Sequence, residues 1–99
     1  MIYEIAEITI KPGSQAEFEA AVAGTVALFQ RAKGCLSMRL EHGVESSNDY
    51  RLVIGWETVA DHMVGFRESA DFQQWRAAAG PFFAVPPKVE HFATVVAGF

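Results

Sequence analysis

"CLSMRLEHGVESSNDYRLVIGW", Cys35–Trp56, is the stretch whose reading decides the fold. Cys35–Gly43 alternates, with Leu36, Met38 and Leu40 falling on one face of a strand. Tyr50–Trp56 alternates in the same way, with Tyr50, Leu52, Ile54 and Trp56 on one face. Between them "VESSND" (Val44–Asp49) is rich in residues that bond their own backbone and favour turns. The two runs therefore predict a β-hairpin with a longer loop.

The segments on either side complete the topology. "IYEIAEITI" (Ile2–Ile10) is β-branched and predicts a first strand, which "KPG" (Lys11–Gly13) ends. Ser14 and Glu17 have capping-box spacing. Phe18, Val22, Thr25 and Phe29 recur at helical spacing, which predicts one amphipathic helix over Gln15–Arg31, closed by Lys33–Gly34. After the hairpin, Thr58 is placed to cap a short helix with Asp61 three residues on, and Val59, Met63 and Phe66 form its apolar stripe. Ser69 is placed to cap a second, with Phe72 and Trp75 on its inner side. Pro81, Pro86 and Pro87 exclude helix from Gly80–Pro87, and Val89–Ala97 is expected to be the last strand. The order β-α-β-β-α-α-β over a single domain, residues 1–99, is an α+β ferredoxin-like arrangement: a four-stranded antiparallel sheet with helices on one face. The last strand carries Val89, Ala93 and Val95 on one face and Phe92 and Val96 on the other, and Val53 lies opposite the large residues of its strand. A sheet apolar on both sides, with helices for only one, predicts a homodimer through the sheet.

Composition narrows the function. Of 99 residues, 51% are hydrophobic and 20% charged, which is globular rather than disordered. A net charge of −4 gives no basic patch for nucleic acid or an anionic membrane surface. No apolar run approaches a membrane span, no secretory leader is expected, and the lone Cys35 suits a reducing cytoplasm. His42, His62 and His91 stand far apart in sequence and form no metal-ligand motif. The glycines are isolated and build no phosphate loop, and no serine nucleophile elbow is present. Neither a metal nor an organic cofactor is announced.

The residues that could carry chemistry cluster in "WETVADHMVGFRESADFQQW" (Trp56–Trp75). His62 and Phe66 are four apart and share one side of a helix. At the edge of the apolar stripe, His62 would be half buried, its pKa lowered by desolvation, and able to take a proton from an acidic phenol. His91 is the second candidate base. Trp56, Phe66, Phe72, Trp75 and Phe82 would line an aromatic cavity for a flat ligand, although core packing explains each of them singly. Arg39 and Arg51 are expected in a salt bridge on the sheet face away from the helices, and Arg67 and Arg76 in solvent.

"EITIKPG" (Glu7–Gly13), "FEAAV" (Phe18–Val22), "KGCLSMRL" (Lys33–Leu40) and "YRLVIGWETVADH" (Tyr50–His62), followed by Ser69 and Phe72, resemble the antibiotic biosynthesis monooxygenase family over essentially the whole chain. That resemblance implies a dimeric α+β barrel with a pocket between sheet and helices. It also implies a cofactor-independent monooxygenase acting on a quinol-like or polycyclic phenolic substrate, or else a non-catalytic binder of small aromatic molecules or an accessory or stress dimer. Many members carry a His, or a Trp in haem-degrading relatives, where Gly65 and Phe66 stand here. The haem-ligating His of those relatives would fall near Trp75 or Arg76, so haem is disfavoured and His62 is left as the polar pocket residue.

Overall fold

The computed structural model describes residues 1–99. Four strands, β1 (Ile2–Thr9), β2 (Cys35–His42), β3 (Asp49–Trp56) and β4 (Lys88–Phe92), form one antiparallel sheet in the order β2-β3-β1-β4. Helices α1 (Gln15–Ala23), α2 (Val26–Gln30) and α3 (Ala70–Ala79) and a π-helical turn (Asp61–Phe66) supply the groups that pack on one face. This is the ferredoxin-like α+β fold expected from the sequence.

Period-two alternation sets the two faces. Glu4, Ala6, Ile8 and Ile10 point inward with Tyr50, Leu52, Ile54 and Trp56, against Phe18, Val22, Leu28, Phe29, Phe66 and Trp75. The register pairs Glu4 with Ile54 on one side and with His91 on the other. Tyr3, Ile5, Val53 and Phe92 lie on the opposite, open face with three ion-paired basic residues: Arg39 and Arg51 share Glu41, each at 2.8 Å, and Lys88 meets Glu90 at 3.3 Å.

Five sequence expectations change. Gly80–Phe82, from which the prolines are expected to exclude helix, forms a single 3-10 turn with Pro81 in its first turn, where a missing N–H is tolerated. The first helix breaks at Gly24–Thr25. Glycine has poor helix propensity, and the Thr25 hydroxyl donates back to Val22 O at 2.7 Å, so the chain turns and restarts as α2. Ser14 caps nothing; its hydroxyl donates to Lys11 O at 2.6 Å. In β2 a bulge between Cys35 and Ser37 puts Leu36 out of phase, so Leu36 is exposed while Cys35, Met38 and Leu40 pack on the core. Finally, β4 ends at Phe92, and Val95 and Val96 beyond it are exposed rather than on strand faces. The cap positions Thr58 and Ser69 do form, accepting from Asp61 N (3.1 Å) and Phe72 N (3.2 Å).

The proline-rich segment is tied to the end of β1. Lys11 N donates to Phe82 O, Ala84 N donates to Thr9 O, and Lys11 Nζ donates to Pro81 O at 2.8 Å. At the other end of the sheet, Gly34 turns the chain into β2 with φ of +78°, and its carbonyl accepts from Glu57 N at 2.8 Å. A Cβ there would also run into the Asp61 carboxylate. Gly34→Ala is expected to lower stability by about 1–3 kcal/mol, read as a lower urea midpoint at unchanged m-value.

Candidate active site

One carboxyl stands in phase with the inward apolar residues of β1. Glu4 is 6% exposed, and the chain surrounds it with polar partners. Trp56 Nε1–H donates to Glu4 Oε1 at 3.0 Å, from the last residue of β3. His62 Nε2 lies 3.2 Å from the same oxygen. On its other edge, His62 Nδ1 is 2.8 Å from His91 Nε2, supplied by β4 as the cross-strand neighbour of Glu4. The Trp56 indole lies roughly parallel to the His62 ring, centroids 5.4 Å apart. The line Glu4–His62–His91 thus joins groups far apart in sequence.

The π-turn explains how His62 arrives there. Its i→i+5 bonding, seen as Arg67 N donating to His62 O at 2.9 Å, widens the turn and brings His62 and Phe66 together on the inward side. His62 is 3% exposed and Phe66 is buried, whereas Val59 is exposed and Met63 half-buried. The α-helical stripe Val59–Met63–Phe66 is therefore replaced by His62–Phe66. The face of His91, open from sequence, is settled by the register: it points to the helix side with Glu4.

Burial sets the protonation of this pair. Desolvation is the main cause that pushes the Glu4 carboxyl from 4.5 up to about 7, against the opposing Trp56 hydrogen bond and Arg67 charge. Desolvation, with the His91 and Arg67 charges, pushes His62 from 6.5 down to about 4. The two shifts oppose a carboxylate–imidazolium ion pair; the contact is a hydrogen bond in which the proton belongs with the carboxyl. Trp56 can only donate, so Glu4 Oε1 is the acceptor. Glu4 Oε2 has no partner within the chain and is not sealed from solvent.

Glu4 and His62 open onto a cleft of about 960 Å³ between the sheet and α3. Its lining comes from Arg67 after the π-turn, from Phe72, Gln73, Arg76 and Ala77 of α3, and from Gly80–Pro81, Phe83–Pro87 and Val89. Of the expected aromatic wall, only Phe72 reaches it. Trp56, Phe66 and Trp75 are buried in the core, where Phe29 packs on both Phe66 (4.8 Å) and Trp75 (5.7 Å). Phe82 packs edge-on to Phe18 at 6.1 Å, and its neighbour Phe83 lines the cleft instead. Arg67 and Arg76 are exposed as expected, but they are exposed to this cleft. His42 belongs elsewhere, stacked on Tyr50 at 4.2 Å. Burial pushes the Cys35 thiol up, which argues against a nucleophile.

A shared metal does not fit this donor set. His62 turns opposite nitrogens to Glu4 and His91, and no group of three such side chains is placed to hold an ion. Sequence reading missed Glu4, although a signal was there: an acid at an even position among Ile2, Ala6, Ile8 and Ile10.

Residues 1–78 match the family model described as antibiotic biosynthesis monooxygenase. The uncharacterized Bacillus subtilis protein YczJ is 37% identical over 95 residues, 96% of this chain and 100% of its own. A crystal structure from Bordetella bronchiseptica, provisionally named an antibiotic biosynthesis monooxygenase, is 50% identical with a TM-score of 0.94, covering 96% of this chain and 97% of that one. A similarly named Caulobacter crescentus structure, 23% identical over 96% of this chain and 90% of its own, has a TM-score of 0.82 and shares the fold.

The shifted groups make a pH prediction. Folded Glu4 keeps its proton up to about pH 7, whereas the unfolded carboxyl loses it near 4.5, so its contribution is present below 4.5 and lost as pH rises to 7. His62 acts oppositely: its contribution is present above 6.5 and lost as pH falls to about 4. Between pH 4.5 and 6.5 the two slopes cancel. Glu4→Gln removes one of them, so the stability of wild type relative to this variant should fall by on the order of 3 kcal/mol from pH 4.5 to 7. Urea titrations of both proteins across that range measure it.

Proposed function

The chain belongs to the antibiotic biosynthesis monooxygenase family, and we propose that it is a cofactor-independent monooxygenase oxidising a quinol-like or polycyclic phenol with molecular oxygen. The observation that carries this reading is a carboxyl with its pKa near 7, one oxygen unpartnered, at the floor of a cleft. Such a group is matched to a weakly acidic phenol at neutral pH, whereas an ordinary carboxylate is too weak a base.

In this mechanism Glu4 Oε2 takes the phenolic proton. The electron-rich anion then gives electrons to dioxygen and forms a carbon–oxygen bond. The carbon of the peroxy adduct then loses its remaining C–H proton as the O–O bond breaks, and the leaving oxygen departs as water with the proton returned from Glu4, so that a ring C–H carbon (CH2 in the keto form of the phenol) and O2 become C=O and H2O. Arg67, close enough to act on both Glu4 and His62, favours the anion. His62 touches the carboxyl and His91 orients His62; the line gives the proton a path from Glu4 toward the β4 edge. Phe72 and Phe83 hold the ring.

Association through the open sheet face accompanies this reading. Tyr3, Ile5 and Phe92 form an apolar band there, flanked by the Arg39–Glu41–Arg51 cluster. No helix is long and apolar enough to cross a membrane, and the half-buried thiol of Cys35 suits a reducing cytoplasm.

Oxygen uptake with a substituted naphthohydroquinone, corrected for autoxidation, tests the activity. The rate should rise with pH through about 7 as Glu4 ionises. Glu4→Gln should lower kcat by about 100-fold or more, and His62→Ala should remove most of the rate. Uptake equal to the blank, with the naphthohydroquinone still raising the Tm, would instead favour a non-catalytic binder. For the interface, Phe92→Glu should turn a dimer into a monomer by light scattering, because Phe92 is exposed on the open face.

A further inference from the structure

The arginines of this chain divide into two sets. Arg31 pairs with Asp71 at 2.7 Å, and Arg39 and Arg51 both pair with Glu41. Arg67 and Arg76 pair with no carboxylate; the one hydrogen bond of the Arg67 guanidinium is a long approach to Met63 Sδ at 3.9 Å. The chain has 12 acidic residues for 8 basic ones, so a shortage of acids does not explain two unpaired guanidiniums. Both of them line the cleft that holds Glu4.

The rest of the cleft makes this more specific. Its titratable side chains are Glu4, His62, Arg67 and Arg76. Burial holds Glu4 largely protonated below pH 7 and His62 neutral, so the two arginines dominate the local charge of an otherwise acidic protein. Gln73, one turn before Arg76 on α3, adds an amide on the same side. The Phe83–Pro87 stretch of the lining is apolar and offers no charge. The cleft therefore combines planar donor forks suited to a carboxylate with an apolar stretch suited to a ring.

We infer that the cleft binds an aromatic carboxylic acid, its carboxylate held by Arg67 and Arg76 and its ring against the Phe83–Pro87 wall. With the monooxygenase reading above, on which this assignment of substrate class rests, the ligand is a hydroxylated aromatic acid whose phenol faces Glu4. The carboxylate supplies binding and orientation, and the bond chemistry stays at the ring.

Calorimetric titration of the full chain under anaerobic conditions tests the inference without turnover. The probes are 3-hydroxy-2-naphthoic acid, the corresponding carboxamide, and 2-naphthyl phosphate. The acid should bind at least about tenfold more tightly than the amide, and more weakly as salt rises. The Arg67→Gln/Arg76→Gln double variant should bind the acid no better than the amide. Both side chains are exposed, so its Tm should match wild type; if it does not, Arg76→Lys, which keeps the charge and loses the fork, should retain part of the preference. Equal binding of acid and amide, no acid binding at millimolar concentration, or preference for the phosphate overturns the assignment. Acid-selective binding without oxygen uptake would sink the monooxygenase reading and leave the acid site standing. Oxygen uptake with indifferent binding would do the reverse.

Discussion

A carboxyl turned toward the core has to be satisfied, and much of this structure is arranged around that requirement. Burying Glu4 without partners would cost several kcal/mol as a carboxylate and somewhat less as an acid. The chain meets the demand at one oxygen from two directions, an indole N–H from the end of β3 and an imidazole from the π-turn, and a second imidazole from β4 holds the first in place. The residue that costs stability is also the one whose proton affinity is brought to neutrality. Stability and chemistry are thus set by the same desolvation.

The π-turn is the local device that makes this work. An α-helical turn would have given the inward position to Met63 and left His62 at the flank. One wider turn exchanges an apolar contact for a polar one and keeps Phe66 in the core beside Trp56 and Phe29. Trp56 then serves two purposes. It is fully buried, and its single N–H is used on Glu4.

Most of the fold was legible because it depends on patterns that are local in sequence. Alternation in Tyr50–Trp56 and caps at Thr58 and Ser69 fixed elements that the structure contains, whereas Gly80–Phe82 forms one 3-10 turn where the prolines predict no helix. The failures are equally local: a bulge that moves Leu36 by one place, and a threonine that breaks a helix. The site was only half legible. His62 announced itself through its place beside an apolar stripe. Its partners could not, because a contact between residues 62 and 91 is made by strand order and register, which pairwise spacing does not encode. Glu4 was readable in principle, as the one acid on an apolar face. The aromatics misled for an energetic reason: large rings are the most effective core fillers available to a small domain, so clustering alone does not distinguish a wall from a core.

The tether between the proline-rich segment and the end of β1 has a consequence for how such a protein diversifies. Backbone bonds at Thr9, Lys11, Phe82 and Ala84 fasten the segment at one end, and they do not depend on which side chains follow. Residues from Val85 to Pro87 are therefore free to vary in size and shape on a fixed hinge point. The carboxyl and its imidazoles sit on different supports, the sheet and the π-turn. The loop that borders the cleft can therefore be re-cut without disturbing the buried carboxyl and its imidazoles, so two chains with this scaffold can keep the same polar cluster and differ in the shape of the cleft beside it.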